Sequence, residues 1–201
     1  MKSVTVVHTH DPKEADTDDF VSPLKKATGV WFNGGRQWRY VKAYGGTKSE
    51  VEFNKVLERG GAIGGSSAGA SIQGSFLARG DTRGNRIMVG DVQRGFAYMK
   101  NTAIDQHVIA RGREKDLLKV LEDPRQRMEK DYDRAEMLGI GIDEDVAIVV
   151  RADELEVIGK KNGSILIFDP KKWKKDTQDE EKWETLQTGD KYDLSTRSKI
   201  K

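Results

Sequence analysis

Gly64-Gly65-Ser66-Ser67-Ala68-Gly69-Ala70 is the stretch from which the fold of this chain can be read. The apolar pair Ala62-Ile63 precedes it and suits the end of a buried strand. Ala70-Ser71-Ile72-Gln73 follows it and can open a helix. Strand, small-residue turn, helix is the setting of a nucleophile elbow, and Gly65-Ser66-Ser67-Ala68-Gly69 fits G-x-S-x-G with Ser67 at its centre. Such a turn is strained, and a Cβ on its neighbours would clash, so glycine is needed on both sides. The N-terminus of the following helix aims free N–H groups at the space beside Ser67, where an oxyanion can sit. The bland alternative is a Gly/Ser turn that only joins a strand to a helix.

Outward from this turn the chain alternates short apolar runs with helical patterns. Val4-Thr5-Val6-Val7 reads as a buried strand ending in His8-Thr9-His10-Asp11, a strand-end loop in preference to a metal site. Residues 17–27 carry Phe20, Val21 and Leu24 at helical spacing. Gly29-Val30-Trp31-Phe32 reads as a central strand, ending in Asn33-Gly34-Gly35-Arg36-Gln37, a turn that lets backbone N–H groups approach a ligand. Trp38, Val41 and Tyr44 suit a short helix. Thr47-Lys48-Ser49-Glu50 is a capping-box pattern, with Val51, Phe53, Val56 and Leu57 as the apolar stripe behind it.

Beyond the turn, Ile87-Met88-Val89 is a small strand candidate, and Thr102-Ala103-Ile104 is a strand that delivers Asp105-Gln106-His107 at its end. Leu117, Leu118 and Leu121 mark a helix ending near Pro124, and residues 125–134 read as an exposed, charged helix. Leu138 to Ile142 is a strand followed by a turn at Asp143-Glu144. The runs 147–150, 155–158 and 165–168 are strands broken by turns, Asn162-Gly163 being a hairpin signal. Early strand–helix alternation predicts an α/β protein, a three-layer sandwich around a mostly parallel central sheet, with antiparallel hairpins at the C-terminal end. No internal repeat or domain boundary is visible, so residues 1–201 are expected to form one domain.

Composition narrows the function. The 201 residues are 34% charged, yet the net charge is only +2, which gives no reason to expect a nucleic-acid partner. The absence of cysteine excludes a disulfide framework and a cysteine nucleophile. No apolar run approaches the ~20 residues of a membrane span. Met1-Lys2-Ser3-Val4 lacks the apolar core of an export signal, so the expected location is cytoplasmic, a secreted form with its signal removed being the alternative. No metal or cofactor is called for.

A serine nucleophile needs a base within hydrogen-bond reach and a third group to orient that base. In an open α/β sheet, groups at the carboxyl ends of neighbouring strands meet in one crevice. Ser67, Gln37 and His107 all have that placement, which makes His107 the candidate base. These stretches, with Arg111 and Arg113 beyond the histidine, resemble the cyanophycinase and dipeptidase E family of serine peptidases. The likeness covers roughly residues 28–170 and is nearer to cyanophycinase-like members. The resemblance implies a flavodoxin-like fold of the class I glutamine amidotransferase type, although those amidotransferases use a cysteine.

By position, the resemblance makes Ser67 the nucleophile and His107 its general base, with the N–H groups of Gly35 and Ala68 as the oxyanion hole. Gln37 and Gln106 would bind polar groups of the substrate. Arg111 and Arg113 would hold a substrate carboxylate, a task that suits the guanidinium fork. Salt bridges to Glu114 or Asp116 are the alternative for the two arginines. The family has an acidic third residue between the elbow helix and the histidine strand. Spacing points near Asn85, Asp81 lies in the same stretch and ranks ahead of it, and Asp91 is a further acid.

Where this chain has Asp116 the family often has an arginine, which puts cyanophycin itself in question as the polymer cut. The strand and helix that usually precede the segment beginning at Val4 are expected to be missing, leaving an exposed edge that a homodimer can cover. The implied reaction is hydrolysis of an aspartyl peptide or isopeptide bond through an acyl-enzyme on Ser67. The alternative is an inactive relative that binds a ligand or partner in the same crevice.

Overall fold

A computed structural model describes residues 3–201; Met1 and Lys2, read above for an export signal, lie outside them. The first residues after them do not form the expected strand. Ser3 to Thr9 is irregular, and Val4 and Val6 are 70% and 85% exposed. Alternating apolar residues form a strand only where a neighbour completes the ladder, and none pairs with this segment among the described residues. Two single-turn helices follow, α1 (Pro12–Ala15) capped by Asp11 and α2 (Asp18–Val21) capped by Thr17. The helix expected over 17–27 stops there. Ser22 and Pro23 keep helical backbone angles, but Pro23 has no N–H to carry the helical ladder on, and only a 3₁₀ turn, Leu24–Lys26, continues.

β1 (Gly29–Phe32) leads through the 33–36 turn into α3 (Gln37–Tyr44), and α4 (Lys48–Glu58) returns the chain to β2 (Ala62–Gly65). β1 and β2 pair in parallel, with Phe32 opposite Gly65. The capping box before α4 is only half made. Thr47 Oγ1 accepts from the Ser49 N–H at 3.2 Å, but the Glu50 carboxylate takes the Gly46 N–H at 2.6 Å and pairs with Arg94. Phe53 and Val56 of the expected stripe are buried, whereas Val51 and Leu57 face outward. Phe53 packs edge-on against Phe32 and Tyr44, with ring centroids 5.1 and 5.8 Å away. This aromatic cluster ties α3 and α4 to β1 and so fixes the turn at 33–37.

After β2 come the elbow, the short α5 (Ala68–Ser71), β3 (Gly74–Phe76) and β4 (Met99–Gln106). Ile87-Met88-Val89 forms no strand; Met88 contributes its carbonyl to the Arg79 N–H at 3.1 Å and its side chain to the core. α6 (Leu118–Leu121) is one turn long, and residues 125–134 are irregular rather than helical. That segment lacks an apolar stripe and is held by side chains instead. Asp123 accepts from the Met128 N–H, Gln93 Oε1 from the Glu129 N–H, and Tyr132 donates to the Gln93 carbonyl.

β5 (Leu138–Ile142) joins β4 in parallel, and both are buried where they run side by side. β6 (Val146–Arg151) and β7 (Glu154–Gly159) form a hairpin around Ala152-Asp153. β8 (Ser164–Phe168), β9 (Trp183–Gln187), β10 (Lys191–Asp193) and β11 (Ser198–Ile200) complete the chain. Asn162-Gly163 turns the chain without making a hairpin, because β7 and β8 belong to different sheets. Beside the two-stranded β1-β2 sheet, a second sheet runs β3-β4-β5-β8-β9 and a third β11-β10-β7-β6.

The protein is therefore mixed α/β, with its parallel strands in two sheets where one was expected. No ladder joins β2 to β3 or β4 among the described residues, because α5 packs against β1, β2 and β4 and fills that place. The antiparallel C-terminal strands are as expected: β8 runs against β5, and β9 against β8.

Candidate active site

Ser67 stands between β2 and α5 with φ 54° and ψ −115°. A positive φ on a residue with a Cβ costs of order 1–3 kcal/mol and persists only where the surroundings enforce it. Here they do. Gly69 brings α5 so close to β1 that a Cβ on it would lie 2.0 Å from the Phe32 carbonyl oxygen. The turn at 33–36 closes over the same point, since a Cβ on Gly34 would touch Ser67 Cβ at 3.5 Å. Tyr40 holds that turn by donating its hydroxyl to the Asn33 carbonyl at 2.9 Å.

β4 carries His107 to the same place. Its Nε2 lies 2.9 Å from Ser67 Oγ, across 40 residues of sequence. Its Nδ1 lies 2.8 Å from Oε1 of Glu144, in the turn after β5. His107 also has a positive φ, 57°, which swings the ring out of the line of β4. The turn holding Glu144 is braced by its neighbour, whose Oδ1 accepts from the N–H groups of Ile109 and Ala110 at 3.1 and 2.8 Å (that neighbour is Asp143). The parallel register of β4 and β5, with Gln106 opposite Ile142, is what sets the histidine beside the acid.

The acids expected at the imidazole are elsewhere. Asp81 is buried and accepts from the Arg83 guanidinium at 2.7 and 3.1 Å, which holds its carboxyl down to about 2. Asn85 gives its backbone carbonyl to Arg79 at 2.9 Å, and Asp91 closes the loop by accepting from the Thr82 N–H and hydroxyl. Asp81 and Asp91 are thus engaged within the loop that follows β3, while Asn85 Oδ1 is buried without a partner. Glu144 was not read from the sequence; the available signal was an acidic turn at the carboxyl end of the strand next to β4.

The remaining candidates divide between scaffold and cleft. Gly35 has φ 134°, a backbone that side chains avoid, and Ala68 is the first residue of α5. Among the described residues neither N–H donates to a protein acceptor. Gln37 is fully buried and donates Nε2 to the Ala78 carbonyl at 3.1 Å; its Oε1 and that of Gln106 are buried without a partner. Arg111 lies 3.9 Å from Glu144 and is half exposed. Arg113 reaches the Gln106 carbonyl at 3.4 Å, and burial, reinforced by the Arg79 cation, pushes its pKa down. Neither arginine pairs with Glu114 or Asp116. Asp116 pairs with Arg79 and Lys119 instead, at 2.5 Å each. Among the described residues no cluster of side chains suits a metal ion, and no helix is long and apolar enough to cross a membrane.

An α/β frame that puts a strained serine, a histidine and a carboxylate in one hydrogen-bonded line defines the class of Ser-His-acid sites. The particular family follows from comparison. The profile of peptidase family S51 matches residues 1–158, and the chain belongs to that family. It is 31% identical over 173 residues to a cyanophycinase of Geminocystis herdmanii, an alignment covering 84% of this chain and 59% of that protein. A cyanophycinase of Synechococcus elongatus is 28% identical, over 85% of this chain and 51% of its own length. The chain thus spans between half and three fifths of the length of these relatives.

Two solved structures share the fold. A peptidase from an acI-B1 Actinobacterium superposes with a TM-score of 0.61 at 20% identity, over 91% of this chain and 66% of its own. A putative peptidase E from Listeria monocytogenes gives 0.53 at 16%, over 78% and 69%.

Proposed function

We propose that this protein is a serine peptidase in which Ser67 is the nucleophile, His107 its general base and acid, and Glu144 the group that orients His107. The observation that carries this reading is the imidazole itself, bound to Ser67 Oγ at 2.9 Å on one nitrogen and to Glu144 at 2.8 Å on the other. With Glu144 accepting from Nδ1–H, Nε2 is left as an acceptor for the Ser67 proton. Ser67 Oγ attacks the scissile carbonyl carbon as that proton passes to Nε2. The oxyanion forms beside the free N–H groups of Gly35 and Ala68. His107 then returns the proton to the leaving amine, and water, activated by the same nitrogen, releases the acyl group.

Aspartyl peptide or isopeptide bonds are the proposed targets, as the relatives' name, cyanophycinase, suggests. Arg111, 3.9 Å from Glu144, and Arg113, beside the Gln106 carbonyl, suit the free carboxylate that such substrates carry. The same reading takes β1–β2 and β3–β4–β5 as parts of a flavodoxin-like core, supported by their parallel registers. The contact between Glu144 and His107 Nδ1 favours this reading over an inactive relative that binds a ligand or partner.

The test compares hydrolysis of cyanophycin, β-aspartyl dipeptides and α-aspartyl dipeptides by the native protein and by Ser67→Ala. Cleavage that vanishes in Ser67→Ala is expected, together with native-only acylation by a fluorophosphonate. Equal cleavage by both proteins would remove Ser67 from the mechanism.

A further inference from the structure

A buried cation stands behind the histidine. Arg79 is 1% exposed and among the largest fully buried side chains. It follows β3 with φ 61°, another position where a side chain carries strain. Its Nε and Nη2 form a two-pronged pair with Asp105 at 2.7 and 2.8 Å. Nη2 also reaches Asp116 at 2.5 Å, and Nη1 donates to the Asn85 carbonyl at 2.9 Å. Asp105 is 0% exposed and stands two residues before His107.

The pairing of β4 explains why this matters. On one side β5 runs beside β4 to its last residue, with Asp105 opposite Gly141 and Gln106 opposite Ile142. On the other side β3 reaches only as far as Phe76, opposite Ala103. Among the described residues no strand pairs with Ile104, Asp105 or Gln106 on that flank, and the Arg79 fork on the Asp105 carboxylate is a second hold on the end of β4. A buried charge pair is a costly means of mere stabilisation, since well-packed apolar residues often do as well. A planar fork fixes direction as well as distance. A histidine that must stay within about 0.5 Å of its working position has use for that.

We propose that Arg79 is a positioning residue for His107: through its fork on Asp105 it sets the end of β4, and thereby the reach of the imidazole to Ser67. The proposal rests on the serine-peptidase reading for its kinetic consequence and on geometry alone for its structural one. Arg79→Lys keeps the charge and loses the fork. Arg79→Gln with Asp105→Asn removes both buried charges together, so that at least one variant folds without an unpaired ion; circular dichroism and thermal melting identify it.

Two readouts are taken well below the melting temperature. The first is the rate of Ser67 acylation by a fluorophosphonate across pH 5–9, a reaction that needs no natural substrate. In the folded variant it is expected to fall about 10²-fold, the loss associated with an ångström of misplacement, with a changed pH profile. The second is the NMR signal of the His107 Nδ1–H held by Glu144, which is expected to move or broaden. Failure of the native protein to acylate would count against the nucleophile and leave the NMR readout to judge Arg79. A folded variant with native acylation, native pH profile and an unmoved imidazole signal overturns the proposal and leaves Arg79 a structural residue only.

Discussion

Glu144 meets His107 Nδ1 at 2.8 Å from a turn 37 residues further along the chain. The contact decides which ring nitrogen keeps its proton. Glu144→Gln retains the shape and loses the charge that stabilises an imidazolium. It is expected to slow Ser67 acylation by about 10²- to 10⁴-fold. The Glu144 side chain is 50% exposed, so the stability should change by no more than an ordinary surface substitution does, about 0.5 kcal/mol. Stopped-flow or gel-based labelling beside a thermal melt gives both numbers. Unchanged acylation would show that the imidazole needs no acid.

Ser67 trades stability for placement. Its φ of 54° belongs to the region that glycine occupies freely. Ser67→Gly is therefore expected to abolish acylation and yet raise the stability of the fold by about 1 kcal/mol, the relieved strain exceeding the added freedom of the unfolded chain. Chemical denaturation of the two proteins reads the difference directly. A glycine variant less stable than the native protein would mean that the elbow is unstrained.

The loop after β3 is held by acid–base contacts of its own. Hydrogen bonding from Arg83 lowers the Asp81 carboxyl from 3.8 to about 2. A carboxyl depressed on folding contributes stability that is fully present above its unfolded value. That contribution is lost as pH falls from about 3.8 toward 2. Arg83→Ala should move the Asp81 titration upward, measured by NMR on the carboxyl carbon. The loop should then loosen at higher pH than in the native protein. Because the Arg83 side chain is 64% exposed, salt will weaken the effect.

Half of the candidate site is legible in the sequence. Ser67 and His107 carry chemistry that the chain has few other ways to provide: it has no cysteine and only three histidines. The acid is a different case. With 33 aspartates and glutamates, residue type discriminates nothing, and the acids between the elbow and the histidine strand, Asp81 and Asp91, are bound to Arg83 and Thr82. Arg79 is illegible for a similar reason, because its partners Asp105 and Asp116 lie 26 and 37 residues further along the chain.

Secondary structure failed where it depended on partners. Val4 to Val7 has a strand's composition and, among the described residues, no strand beside it. Residues 125–134 have a helix's charges and are held instead by Asp123, Gln93 and Tyr132. Asn162-Gly163 makes the expected turn, but between strands of two sheets.

By itself the sequence determined what is local: the tight small-residue turn at Ser67, the glycine turn at 34–35, and the short apolar runs that become β1, β2, β4 and β5. These follow from steric limits on a few consecutive residues. Only the tertiary structure decided that Glu144 and not Asp81 faces the imidazole, and that Arg79 grips Asp105 near the end of β4. Those contacts join segments dozens of residues apart. Their geometry follows from strand register and from the positive φ at His107, which no short stretch of sequence encodes.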